Sequence, residues 1–265
     1  RFPFPLVLLL AVGYSLFLVG ISAPLQNSIV AAALTTLAFV AFLLRQRVTD
    51  EFKDLTHDTK NYPHRPLQRG LVSKRQLIGL GILSLTIELA AIYAIGGLHS
   101  LAWYLPVFIF TLFMSVEFFA SKWLEKHFTL YFVLHQFVFV GFITWFFGTT
   151  NTSLTPAIVA AAVAFLLTMC SVEIVRKFEI RRDAKKKVVL DTYPAVWGRA
   201  LSVLILAVCI VGTGALLTYA TGHIFPVIVS AVAVFAITWQ RKNDTSIRII
   251  GAGAFIAQSI GVFIV

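Results

Sequence analysis

The chain has 265 residues, of which 58% are hydrophobic and only 13% charged, at a mean hydropathy of +0.87. That balance excludes a soluble globule, and 16 Gly, 9 Pro and 2 Cys exclude a disordered, collagen-like or disulfide-stapled chain. A net charge of +10 on so apolar a chain points to membrane topology before nucleic acid, and the placement of the basic residues decides between them.

A membrane helix needs about 20 apolar residues. Runs of that kind stand at 3–22, 27–46, 76–95, 101–120, 127–148, 154–174, 198–220, 223–240 and 246–265. The sequence therefore predicts an all-α fold of nine membrane helices, broken at Ala23-Pro24, Gly96-Gly97, Gly148 to Asn151 and Thr221-Gly222. A cleaved signal peptide is the alternative for the first run, which at about 20 apolar residues is long for that role. Beyond Arg1, the basic residues fall between runs two and three, four and five, six and seven, and eight and nine, or, as Arg45, Arg199 and Arg248, at the facing ends of those runs, so all 22 are expected on one membrane face. By the positive-inside rule that face is cytoplasmic, with the N-terminus inside and the C-terminus outside. The expectation is a multi-pass integral protein of a bacterial or archaeal inner membrane, partnered by the bilayer and not by nucleic acid.

The chemistry concentrates in two cytoplasmic segments, about 45–75 and 173–199, which hold eight of the 12 acids: Asp50, Glu51, Asp54, Asp58, Glu173, Glu179, Asp183 and Asp191. On a helix continuing from the second run, Asp50, Asp54 and Asp58 form one stripe with about 6 Å per step. Three like charges on a stripe repel, which suits a divalent-cation site. A solvated face neutralised by Lys53 and nearby arginines is the alternative. Glu179 and Asp183 again stand four apart. Acids embedded in a basic field suit a metal-bridged polyanion such as a diphosphate, with Arg and Lys meeting the remaining oxygens.

These residues resemble the UbiA superfamily of intramembrane prenyltransferases. Its first motif, Asn-Asp-x-x-Asp-x-x-x-Asp followed by Arg-Pro-Leu and Gly, is matched by Asp50, Glu51, Asp54 and Asp58 and then Arg65, Pro66, Leu67 and Gly70. Its second, Asp-x-x-x-Asp with a following Thr and Gly, is matched by Glu179, Asp183, Thr192 and Gly198. Asp50, Glu51 and Glu179 are departures, as is Lys187 near a common Gly. They are similar to a branch with Arg-x-x-Asp-Glu-x-Lys-Asp and Glu-x-x-Arg-Lys motifs, here Arg47 to Asp54 and Glu173 to Lys177.

The resemblance implies one membrane-embedded domain over residues 1–265, with nine helices around a central cavity. It implies Mg²⁺-dependent transfer of a prenyl group from a polyprenyl diphosphate to an aromatic or other lipophilic acceptor. Asp54, Asp58 and Asp183 are then the catalytic acids. Asp50, Glu51, Asp54 and Asp58 hold one metal set, and Glu179 and Asp183 the other. Arg65, Lys177, Arg176 and Arg47 meet diphosphate oxygens. Lys53 and Lys185 to Lys187 are expected as surface charges near anionic headgroups. The 24 Phe, 7 Tyr and 5 Trp suffice to line a cavity that stabilises an allylic cation.

Three further positions fall inside or near the apolar runs. Glu88 lies 12 residues past Gln76, about 18 Å deep and near the midplane, where an acid is costly. It is either a protonated packing residue or an acceptor-orienting one. Glu117 and His135 are the other candidates for the cavity or its mouth. Two other classes stay open: transfer of a phosphosugar onto a polyprenyl phosphate at the same site, and a transporter with a polar pathway through Glu88, Glu117 and His135.

Overall fold

A computed structural model describes residues 4–22, 28–182 and 187–264. Its helices are α1 (Phe4–Gly20), α2 (Ile29–Lys53), α3 (Leu55–Asn61), α4 (Lys74–Ser115), α5 (Ser121–Lys126), α6 (Phe128–Thr150), α7 (Pro156–Arg176), α8 (Tyr193–Val196), α9 (Arg199–Thr221), α10 (Phe225–Trp239) and α11 (Asp244–Ile264). The fold is all-α, and an isolated antiparallel bridge joins Arg182 to Val188. Every apolar run of the sequence overlaps a helix. By length and composition α2, α4, α6, α7 and α9 can cross a membrane, while Ala11–Ile21 and α10 are shorter apolar helices.

Local chemistry sets the helix ends. The Ser28 hydroxyl accepts from the Ala31 amide at 3.2 Å, and Ser73 with Gln76 forms a reciprocal capping box. Thr155 caps α7 just before Pro156, whose missing N–H costs nothing at that position. Gly222 ends α9 in the left-handed conformation, as its position in the sequence suggests.

Runs three and four both lie on α4, which breaks where the sequence places two glycines: Gly97 has φ +61° and ψ −147°, a conformation open to glycine alone. Gly148 is different. It does not end α6, which continues to Thr150; a Cβ there would stand 2.2 Å from the Trp103 ring, so glycine is required by close packing. The Ala23-Pro24 turn lies outside the described residues.

The chain divides into two compact units. Among the described residues the first comprises 4–15 and 28–150, and the second 16–22 and 151–264. The first has an aromatic core. Tyr14 stacks on Phe39 at 4.2 Å, Phe39 and Phe42 meet Phe142 at 4.9 and 4.6 Å, and Tyr104 meets Trp145 at 5.7 Å. Each such pair is worth about 0.5–1.5 kcal/mol beyond its area. The second unit packs through small and polar residues, as expected where lipid removes the hydrophobic drive between helices. A Cβ on Gly214 would meet Ser230 Oγ at 2.1 Å, and that hydroxyl accepts from Gln258 Nε2 at 2.7 Å and donates to the Ile210 carbonyl at 2.9 Å.

Candidate functional site

In the first unit the acid stripe keeps its helical spacing. The Asp54 amide donates to the Asp50 carbonyl at 2.9 Å and the Asp58 amide to the Asp54 carbonyl at 2.8 Å, although Asp54 itself caps α2 and α3 begins after it. The chain then turns at Pro66 to Gly70, where Gly70 has φ +72°. Before it, the turn that closes with the Arg65 amide donating to the Tyr62 carbonyl at 3.1 Å returns the Arg65 guanidinium onto Asp58, which is 1% exposed, and lays it 4.0 Å from the centroid of the Tyr62 ring. Asp58 and Arg65, expected separately as a metal ligand and a diphosphate ligand, are one ion pair. Arg47 pairs with Glu51 one turn along α2.

Lys53 corrects a sequence expectation. It is not a surface charge: its ammonium lies 2.8 Å from Glu117 Oε1 and 3.4 Å from the Tyr131 hydroxyl, and 5.7 Å from the centroid of that ring. Asp50 is close enough to act on the same charge. His135 completes the group, its ring tilted against Tyr131 with centroids 4.0 Å apart while its Nδ1 donates to the Tyr131 carbonyl at 2.8 Å. Glu117 and His135, which the sequence offered separately, thus meet through Lys53 and Tyr131. Glu117 reaches this place on a turn in which it, Phe118 and Phe119 have φ of +49°, +53° and +58°. Left-handed backbone costs about 1–2 kcal/mol per non-glycine residue.

Arg45 is the second correction. Counted in the sequence among cytoplasmic loop charges, it lies inside α2, 8% exposed, against Glu88, which is 0% exposed. Its Nε and Nη2 donate to Glu88 Oε2 and Oε1 at 2.7 and 2.9 Å, and Nη1 donates to Thr111 Oγ1 at 3.2 Å. The Tyr104 hydroxyl also donates to Glu88. The Phe42 and Phe108 ring centroids lie 5.6 and 5.4 Å from the guanidinium carbon. Glu88 is therefore half of a buried ion pair, with both oxygens met by donors.

In the second unit the hub is Glu173, on the last turn of α7. Arg176 forks onto it at 2.7 and 2.6 Å, Lys177 stands 3.2 Å away and the Tyr193 hydroxyl donates at 3.1 Å. The spacing i, i+3, i+4 was a signal for this cluster; Tyr193, 20 residues on, carried none. Glu179 accepts from Arg181 Nε at 2.5 Å and from Arg248 at 3.1 Å, and Arg181 reaches Asp191 at 3.2 Å. Burial would lower the Arg181 pKa, but hydrogen bonding and charge from Glu179 and Asp191 outweigh it and hold the guanidinium above its ordinary value. Asp183, Lys185 and Lys186 lie outside the described residues. The Thr192 hydroxyl is fully buried and has no hydrogen-bond partner among them. Gly198 opens α9 at φ +82°, which explains that glycine.

Among the described residues no three of His, Cys, Asp and Glu converge to cage a metal. Mg²⁺ does not require a cage: it takes oxygen ligands, often one or two carboxylates together with substrate phosphates and water. The all-oxygen acid stripe fits an ion held jointly with a diphosphate.

The model of the UbiA prenyltransferase family matches residues 6–248. Two solved structures are similar over their whole lengths. An apo UbiA homolog from Aeropyrum pernix K1 aligns at TM-score 0.66 and 17% identity, covering 97% of each chain. A structure described for digeranylgeranylglyceryl phosphate synthase aligns at TM-score 0.55 and 18% identity, covering 98% of this chain and 95% of the other. At such identities the likeness is one of fold. No curated protein matches the chain.

Proposed function

Since the chain belongs to the UbiA prenyltransferase family, we propose that it transfers a prenyl group from a polyprenyl diphosphate to a lipophilic acceptor, acting as one membrane-embedded domain of nine crossings with its motif loops cytoplasmic. The observation that carries this is the stripe of Asp50, Asp54 and Asp58 at unbroken i, i+4 spacing, with a guanidinium folded back beside it. Nine crossings are supported by the coincidence of every apolar run with helix and by the single parity of the basic connections.

When bound, Mg²⁺ would supply the Lewis acidity that offsets charge developing on the departing diphosphate. Asp50, Asp54 and Asp58, with Glu51, would hold the ion in the first motif, and Glu179 and Asp183 would do so in the second. Arg65, held over the Tyr62 ring and against Asp58, would meet phosphate oxygens with its remaining donors, as would Arg176 and Lys177, arranged by Glu173. Arg47 adds a further cation, and the aromatic side chains can stabilise an allylic cation away from water.

The test is prenyl transfer by purified protein given labelled prenyl diphosphates of several lengths and acceptors including phenols and a glycerol-phosphate lipid, the class in the synthase's name. Diphosphate release and lipid products are followed together. Asp54→Ala should lower Mg²⁺-dependent transfer by about a hundredfold or more, the scale of losing a metal-held charge stabiliser. Full activity in Asp54→Ala would overturn the proposal, and a phosphosugar-bearing product would replace it.

A further inference from the structure

We infer that Glu117 is a positioning residue that draws the Lys53 ammonium to itself and so lessens its competition with a divalent cation for the first motif; the inference rests on the metal-diphosphate reading above. Lys53 stands between Asp50 and Asp54 in sequence, and a lysine three residues after an aspartate lies on the same side of a helix. Such a lysine is a tethered competitor for any cation the stripe is to bind.

The structure gives the ammonium somewhere else to go. Glu117 Oε1 takes it at 2.8 Å, the Tyr131 hydroxyl stands at 3.4 Å and the Tyr131 ring centroid at 5.7 Å. The pair is largely shielded, with side-chain exposures of 18% and 13%, so screening by water is weak and the attraction is strong.

The backbone that delivers Glu117 is an independent observation. Three successive non-glycine residues, Glu117, Phe118 and Phe119, are held in the left-handed region, where a connection free to choose would use glycine. Such strain persists only where surrounding contacts over-determine it, and it gathers at functional sites. Here Phe118 packs on Phe110 at 5.4 Å and meets the His135 ring at 6.4 Å. The strained turn puts a carboxylate against the one lysine that interrupts the acid motif.

The experiment reads divalent affinity directly, without turnover, by Mn²⁺ electron paramagnetic resonance titration of the full chain in lipid nanodiscs. Asp54→Ala identifies the signal that belongs to the first motif. Glu117→Gln should weaken that binding about tenfold, the scale of one released charge beside the site. Adding Lys53→Met to Glu117→Gln should restore it to within about threefold of wild type. Rescue by removal of a second residue is not expected if Glu117 merely supports the fold. An unchanged affinity in Glu117→Gln, or a loss that Lys53→Met does not recover, would overturn the inference and leave the metal site standing. Absence of Mn²⁺ binding in the wild type, or binding indifferent to Asp54→Ala, would sink the metal reading and the inference together. Should Glu117→Gln fail to fold, Glu117→Asp, which keeps the charge and shortens its reach, should show a smaller loss that Lys53→Met again reverses.

Discussion

Glu88 accepts from Arg45 through both oxygens and from Tyr104, and Arg45 in turn has Thr111 and two aromatic faces around it. Removing one partner of such a pair strands the other charge where water cannot reach it. Glu88→Ala should therefore destabilise the protein by about 3–5 kcal/mol, whereas Arg45→Met with Glu88→Met should recover most of that loss. Thermal unfolding in detergent measures both; a double variant no better than the single one would show that the pair does more than satisfy its own burial. The depth of Glu88 in an apolar run was enough to mark it as costly. Its partner was hidden, because an arginine at the end of a span reads as a loop charge until the register of α2 against α4 is known.

At the scale of elements, the break in α4 follows from Gly96 and Gly97. Gly97→Val places a branched side chain at φ +61° and ψ −147°, a region essentially reserved for glycine. It should cost about 1–3 kcal/mol, seen as a lower melting temperature. A valine variant as stable as wild type would mean that α4 can run on without the break. The glycine pair was legible as a turn because backbone freedom is a local property. Gly148 was not, since its requirement is set by Trp103 on another stretch of chain. The turn at Glu117 to Phe119 carried no signal at all: nothing in a Glu-Phe-Phe sequence asks for left-handed backbone.

At the scale of the whole molecule, the charge of the connections predicts an orientation. The connection holding Lys60 belongs to the basic parity, and the one holding Ser153 does not. In a background with Cys170 and Cys209 replaced by serine, Lys60→Cys should react with an impermeant maleimide only from the cytoplasmic side, and Ser153→Cys only from the other. Labelling in the reverse sense would overturn the orientation. Even with arginines drawn into ion pairs, the asymmetry holds, because it depends on which connections carry the basic residues.

By itself the sequence determined that the chain is helical and apolar enough for a bilayer, and which connections carry the basic and the acidic residues. These are consequences of composition and of periods along the chain, and they need no knowledge of neighbours. Tertiary structure decided the partnerships: Arg45 with Glu88, Lys53 with Glu117 and Tyr131, Arg65 with Asp58, and Tyr193 with Glu173. A side chain's charge is written in its identity, but whether that charge is spent on a neighbour or kept for a ligand depends on distances of a few ångströms between residues far apart in the chain.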